Sequence, residues 1–112
     1  MAIQKWSDEI TVADLTDDPQ LSDELASLGD SIEQTPVDVV LNFAAVTFIN
    51  SSNIASLLKL RKLVAASSKR MRVCGVNTQV WGIFLVTGLD KIFDFTNDIA
   101  TALAGLQLGE GQ

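Results

Sequence analysis

The run Val37-Asp38-Val39-Val40-Leu41-Asn42-Phe43 limits the folds open to this chain more than any other stretch. It is β-branched and almost continuously apolar, as in a strand buried on both faces. Such strands belong to parallel sheets, whose neighbours need crossovers long enough for a helix. The sequence supplies one at once. After Phe43 a second apolar piece, Val46-Thr47-Phe48-Ile49, stops at Asn50, and Ser51-Ser52-Asn53 opens a Leu-rich segment. From residue 51 to about 67, Ile54, Leu57, Leu58, Leu60, Val64 and Ala65 form one helical arc, with Ser56, Lys59 and Lys62 opposite. Arg61 projects from inside that arc. It reads as a snorkelling side chain or, more sharply, as a partner contact.

The same alternation extends in both directions. Ile3-Gln4-Lys5-Trp6 and Ile10-Thr11-Val12-Ala13-Asp14-Leu15 flank the turn-like Ser7-Asp8-Glu9, which predicts a hairpin. Asp17-Asp18-Pro19 reads as an acidic cap with proline at the first helical position. Leu21, Leu25, Leu28 and Ile32 then predict a helix over 19–33, weakened near its end by Gly29. Met71-Arg72-Val73-Cys74-Gly75-Val76 is the next strand. Thr78 is expected to cap a helix carrying Val80, Trp81, Phe84 and Leu85, which stops at Gly88. Ile92-Phe93-Asp94-Phe95 reads as a last strand, and Asp98 starts a final helix through Leu106. The expected fold is α/β: one domain over 1–112, with a mixed, mainly parallel sheet of four or five strands and about four helices. The tail 108–112 is expected to be disordered.

Composition narrows the function. The 112 residues carry eight Lys and Arg against fourteen Asp and Glu, a formal net charge of −6. That balance argues against nucleic-acid binding, which needs basic side chains to neutralise phosphates. There is no histidine, which removes Ser-His-Asp and Cys-His nucleophile activation and His-ligated metal sites. A single cysteine, Cys74, allows no intrachain disulfide and fits a small buried strand residue in a reducing compartment. Trp81 and Phe84 read as core, whereas Trp6 is expected to be half exposed. The loosely spaced Asp14, Asp17 and Asp18 suit a solvated turn at a helix start better than a metal site. No run has the length of a signal peptide or a bilayer span, so a cytoplasmic protein without membrane insertion is expected. No cofactor is implied.

Ser51 and Ser52 sit where a strand end feeds a helix start. A serine there can be a plain cap, using its oxygen on the free N–H groups of the first turn. It can equally be a switch, since phosphorylation adds about −1.5 to −2 charges. Both readings stand on the residues alone.

Two motifs resemble the STAS domain, the family of bacterial anti-sigma-factor antagonists. Val39-Val40-Leu41-Asn42-Phe43, followed by Val46-Thr47-Phe48-Ile49-Asn50-Ser51-Ser52, is similar to the family's strand and its Asp-Ser-Ser/Thr-Gly helix start. Thr87-Gly88-Leu89 is similar to the family's Thr-Gly-Leu near the C-terminus. The resemblance implies a partner switch. The unphosphorylated domain binds a serine-kinase anti-sigma factor, and phosphorylation of the serine after the Asp ends binding until a cognate phosphatase reverses it. By position that serine is Ser51, with Ser52 as second choice, and Asn50, Ser51, Ser52, Asn53 and Arg61 are the expected partner surface. The chain departs from the pattern at Asn50, where the family has Asp, and at Asn53, where it has Gly. Those departures keep an alternative open: an unphosphorylated scaffold or transporter-associated subunit with a fixed partner. A Ser-Lys hydrolase is a distant third, because Lys59 and Lys62 lie far along the helix from Ser51. A monomer or weak dimer is expected.

Overall fold

Strand and helix alternate along the chain as these periodicities require. The computed structural model describes residues 2–109. Its elements are β1 Ala2–Lys5, β2 Ile10–Thr16, α1 Gln20–Gln34, β3 Asp38–Ala45, α2 Ser51–Ala66, β4 Met71–Cys74, α3 Thr78–Thr87, a 3-10 turn Leu89–Lys91, β5 Asp94–Thr96 and α4 Ile99–Gln107. The strands form one sheet in the order β1-β2-β3-β4-β5. Only the β1–β2 hairpin is antiparallel, and β2 through β5 run parallel. Trp6 lies just past β1, largely exposed, and its N–H donates to the Ile10 carbonyl across the turn.

The central strands are buried on both faces, and their side chains divide by parity. Ala13, Leu15, Val39, Leu41, Phe43, Met71 and Val73 point to the main core, with α1, α2 and α3 on that side. Ile10, Val12, Val40 and Cys74 point to the other face, which α4 covers with Ala102, Leu103 and Leu106. Phe84 of α3 anchors an aromatic group in the main core, with ring centroids 6.1 Å from Phe43, 6.1 Å from Phe93 and 5.2 Å from Phe95. Trp81 packs edge-on against Phe95 at 5.0 Å. Phe84 is fully buried in the core, as its apolar spacing suggests, whereas Trp81 is only partly buried against it.

Several boundaries differ from expectation, each for a local reason. Pro19 is itself the cap of α1, not its first helical residue. Asp18 reaches past it to accept from the Ser22 N–H at 3.0 Å. The helix α1 continues through Gly29 to Gln34. The glycine packs inside the helix facing Leu63, with room for an ordinary contact at 3.6 Å. The buried stripe of α2 is Asn53, Leu57, Leu60 and Val64, so Leu58 and Ala65 of the expected arc lie at the surface. Asn77, not Thr78, caps α3 by accepting from the Val80 N–H at 2.9 Å. Of the expected loose tail, Leu108 and Gly109 close α4, donating to the Ala104 and Leu106 carbonyls. Residues 110–112 lie outside the described residues.

Candidate functional site

The parallel strands carry two loops to the same end of the sheet: 17–19 after β2 and 46–50 after β3. Loops at the C-terminal ends of parallel strands are where α/β sheets usually meet ligands and partners. Here the two loops are tied together by carboxylates. Asp17 accepts from the Thr47 N–H at 2.7 Å, the Thr47 hydroxyl at 2.6 Å and, more weakly, the Phe48 N–H at 3.4 Å. These bonds, the Thr47 hydroxyl first, hold its carboxyl below the usual range.

Asp18 does the same for the start of α2. Its Oδ2 accepts from Asn50 Nδ2 and from Asn53 Nδ2, both at 3.1 Å, while its Oδ1 takes the Ser22 N–H and hydroxyl. The Asn53 amide is the largest cause of its lowered pKa, with Ser22 next. Asn50 and Asn53 in turn form a reciprocal cap. Asn50 Oδ1 accepts from the Asn53 N–H at 2.8 Å, and Asn53 Oδ1 accepts from the Asn50 N–H at 3.0 Å. With both amide oxygens used on backbone, both amide nitrogens are aimed at Asp18.

This arrangement removes capping as a role for the serines. Ser51 and Ser52 are the first two residues of α2, both exposed, and neither hydroxyl is hydrogen-bonded to a described residue. Asn53 is 1% exposed and supports the loop from behind, so it offers no direct contact surface and does not obstruct approach to Ser51. Phe48, absent from the expected site, stands 63% exposed between the two clamped segments. Its exposure was not readable from the apolar run that contains it. Asn77 fixes the loop from a third side, donating to the Val46 carbonyl at 2.7 Å.

The remaining expected residues are dispersed. Asp14 accepts from Asn42 Nδ2 at 2.8 Å inside the sheet, so the three acidic residues serve three separate partners. Among the described residues no group of three His, Cys, Asp or Glu is placed to hold a metal ion. The acidic turn is thus a tether between loops, more than the solvated dipole complement it resembles in sequence. Arg61 lies ten residues along α2 from Ser51, about 15 Å at 1.5 Å per residue, which separates it from the serine pair. Its Nε donates to the Ile92 carbonyl at 3.1 Å. Cys74 is fully buried, and burial first, then the Asp98 and Asp14 charges, pushes its thiol up to about 11.

A five-stranded mixed sheet with three helices on one face and one on the other, and an exposed serine pair opening the second helix, defines a small α/β module. The STAS domain family model matches residues 11–102, and the chain belongs to that family. Solved structures bear the same fold. A Thermotoga maritima protein assigned by similarity as an anti-sigma factor antagonist is similar at 14% identity with a TM-score of 0.83, over 95% of this chain and 93% of that one. The anti-sigma factor antagonist SpoIIAA in its unphosphorylated form is similar at 17% identity and TM-score 0.81, covering 99% and 98%. A sulfate transporter family protein of Wolinella succinogenes is similar at 21% identity and TM-score 0.73, covering 89% and 84%. No helix among the described residues is long and apolar enough to cross a membrane.

Proposed function

We propose that this chain is a protein-binding regulatory module of the anti-sigma-antagonist kind, whose contact surface is the start of α2 with Asn50, Ser51, Ser52 and the exposed Phe48. Its partner in this reading is a serine-kinase anti-sigma factor, which supplies ATP and the chemistry, with a cognate phosphatase to reset the switch. Ser51 is the phosphate acceptor, and phosphorylation ends binding. The observation that carries the reading is that the serine hydroxyls have no structural work. The cap is made by Asn50 and Asn53, so the serines are exposed without holding the helix. A phosphate on Ser51 would add about −1.5 to −2 charges near the two carboxylates Asp17 and Asp18, on a surface a partner must desolvate. SpoIIAA, whose fold this chain shares, has been solved in a phosphorylated as well as an unphosphorylated form.

The likeness to the sulfate transporter family protein supports a second reading, a module with a fixed partner and no phosphorylation. Incubation with an anti-sigma kinase and ATP, followed by mapping of the modified residue by mass spectrometry, separates the two. Phosphate on Ser51 together with lost partner binding is expected. Stable binding with both serines unmodified would replace the switch by the fixed module.

A further inference from the structure

A second surface lies along the C-terminal end of α2, beginning at Arg61 about 15 Å from Ser51. Arg61, Lys69, Arg70 and Arg72 line one open groove there, four of the eight basic residues in a chain of net charge −6. Their compensation is uneven. Arg70 is paired with Asp38 at 3.0 Å and also donates to the Leu106 carbonyl, while Arg72 is paired with Asp94 at 3.4 Å. Arg61 has only the Ile92 carbonyl, and the Lys69 ammonium has no partner, so neither meets a carboxylate among the described residues. Arg70 Nη1 is buried with no hydrogen bond. Two basic side chains without a carboxylate partner, Arg61 and Lys69, thus meet at this one groove beside the paired Arg70 and Arg72.

The floor of the groove is apolar, formed by Val64, Met71 and Phe93 of the main core, with Ile92 at its rim. A compact oxyanion is best held by donors converging on one point. Here the cations come from α2, from the segment after it and from β4, and they surround apolar surface. That combination suits an extended chain that carries carboxylates and an apolar side chain together. We propose that the groove binds an acidic segment of a partner polypeptide, its carboxylates meeting Arg61 and Lys69 while an apolar side chain covers the floor. The site is independent of Ser51. A partner could therefore hold this end of the domain whatever the state of the other.

The test is fluorescence anisotropy with a short fluorescein-labelled glutamate peptide carrying one central leucine. Binding should weaken about tenfold in R61E/K69E, since two exposed ion pairs are lost and charge reversal adds repulsion. It should weaken little in K5E/K59E, which changes the net charge equally but lies off the groove, and it should be unchanged in S51D. Circular dichroism verifies that each variant is folded. Absence of binding, or equal losses in the two double variants, would overturn the proposal. So would displacement of the peptide by inorganic phosphate at matched ionic strength, which would make the groove a small-oxyanion site. Self-association of the protein alone that R61E/K69E abolishes would assign the groove to a second copy and overturn it as well.

Discussion

The Asp18 carboxylate accepts from the Asn50 side-chain amide at 3.1 Å, and this pair places the negative charge of the α2 start on a neighbouring loop. An aspartate at position 50 could still cap the Asn53 N–H with one oxygen. Its other oxygen would then face Asp18 with two like charges and no proton between them. Asn50 and Asp18 therefore form a matched set, and exchanging them is the informative experiment. N50D alone should lower Tm at pH 7, and D18N alone should lower it through the loss of the shared acceptor. The double variant D18N/N50D should recover much of the loss, giving a favourable coupling in a double-mutant cycle. Additive losses would mean that the two side chains act separately.

Capping and exposure separate the asparagines from the serines. N50A removes the oxygen that holds the Asn53 N–H, which costs about 1 kcal/mol at a helix start, and more if Asn53 is left unsatisfied. S51A and S52A touch no hydrogen bond and should stay within about 0.5 kcal/mol of the parent. Urea titration followed by circular dichroism distinguishes the two classes. If phosphorylation at Ser51 is the switch, S51A should be the variant that keeps stability and loses modification.

The periodic parts of this fold were legible in the sequence. Val37 to Phe43 announced a doubly buried strand, and the alternation around it predicted a mixed, mainly parallel sheet with four helices. The helix starts fall within a residue of their expected places, but the cap expected at Thr78 is Asn77, and the cap that Ser51 or Ser52 could have made belongs to Asn50. Spacing alone does not say which of several adjacent polar residues turns its oxygen inward. Asn50 and Asn53 do carry the three-residue spacing of a reciprocal cap, and that signal was available. Asp17 and Asp18 were readable as a helix-start cluster but not as a tether. Their partners are some thirty positions away, and only the parallel β2–β3 register brings the loops together. Gly75 carries a comparable hidden constraint. At φ +71 an added Cβ would stand 2.7 Å from Asn42 Oδ1.

The two loop carboxylates give the fold a defined acid response. Both have folded pKa values below the ordinary 3.8, through hydrogen bonds donated chiefly by Thr47 to Asp17 and by Asn53 to Asp18. A lowered folded pKa means that the ionised form is favoured by folding. The stabilisation is therefore complete above the unfolded value and is lost as pH falls below 3.8 through the folded pKa values. The advantage in Tm of the parent over D17N should be constant at neutral pH and shrink as the solution is acidified below that point. A constant gap down to the lowest pH would show that Asp17 acts without its charge.

Cys74 offers a reporter for the opposite face. Its thiol is fully buried beneath Ala102, Leu103 and Leu106 and is pushed up to about 11, so little thiolate exists near neutral pH. Iodoacetamide at pH 8 should leave the native protein unmodified and label it promptly in urea. L103A should cost about 2–5 kcal/mol if the cavity does not collapse, and should speed native-state labelling. Rapid labelling of the parent would mean that α4 opens far more readily than its packing implies.

Phe48 is the residue by which the proposed contact surface can be tested without disturbing the fold. At 63% exposure it contributes little to the core, while the Asp17 bonds to Thr47 and to the Phe48 N–H hold its backbone in place. An exposed aromatic on a pinned loop has lost most of its backbone freedom before binding, and such residues dominate interface energies. F48A should leave Tm within a few degrees of the parent, as a surface truncation of under about 0.5 kcal/mol implies. It should weaken binding to an anti-sigma kinase by about 2 kcal/mol or more, close to thirtyfold. D17A should release the same loop with Phe48 intact, so a smaller loss in D17A than in F48A would assign the affinity to the ring itself. Equal affinity of F48A and the parent, measured by calorimetry, would place the partner contact elsewhere on the domain.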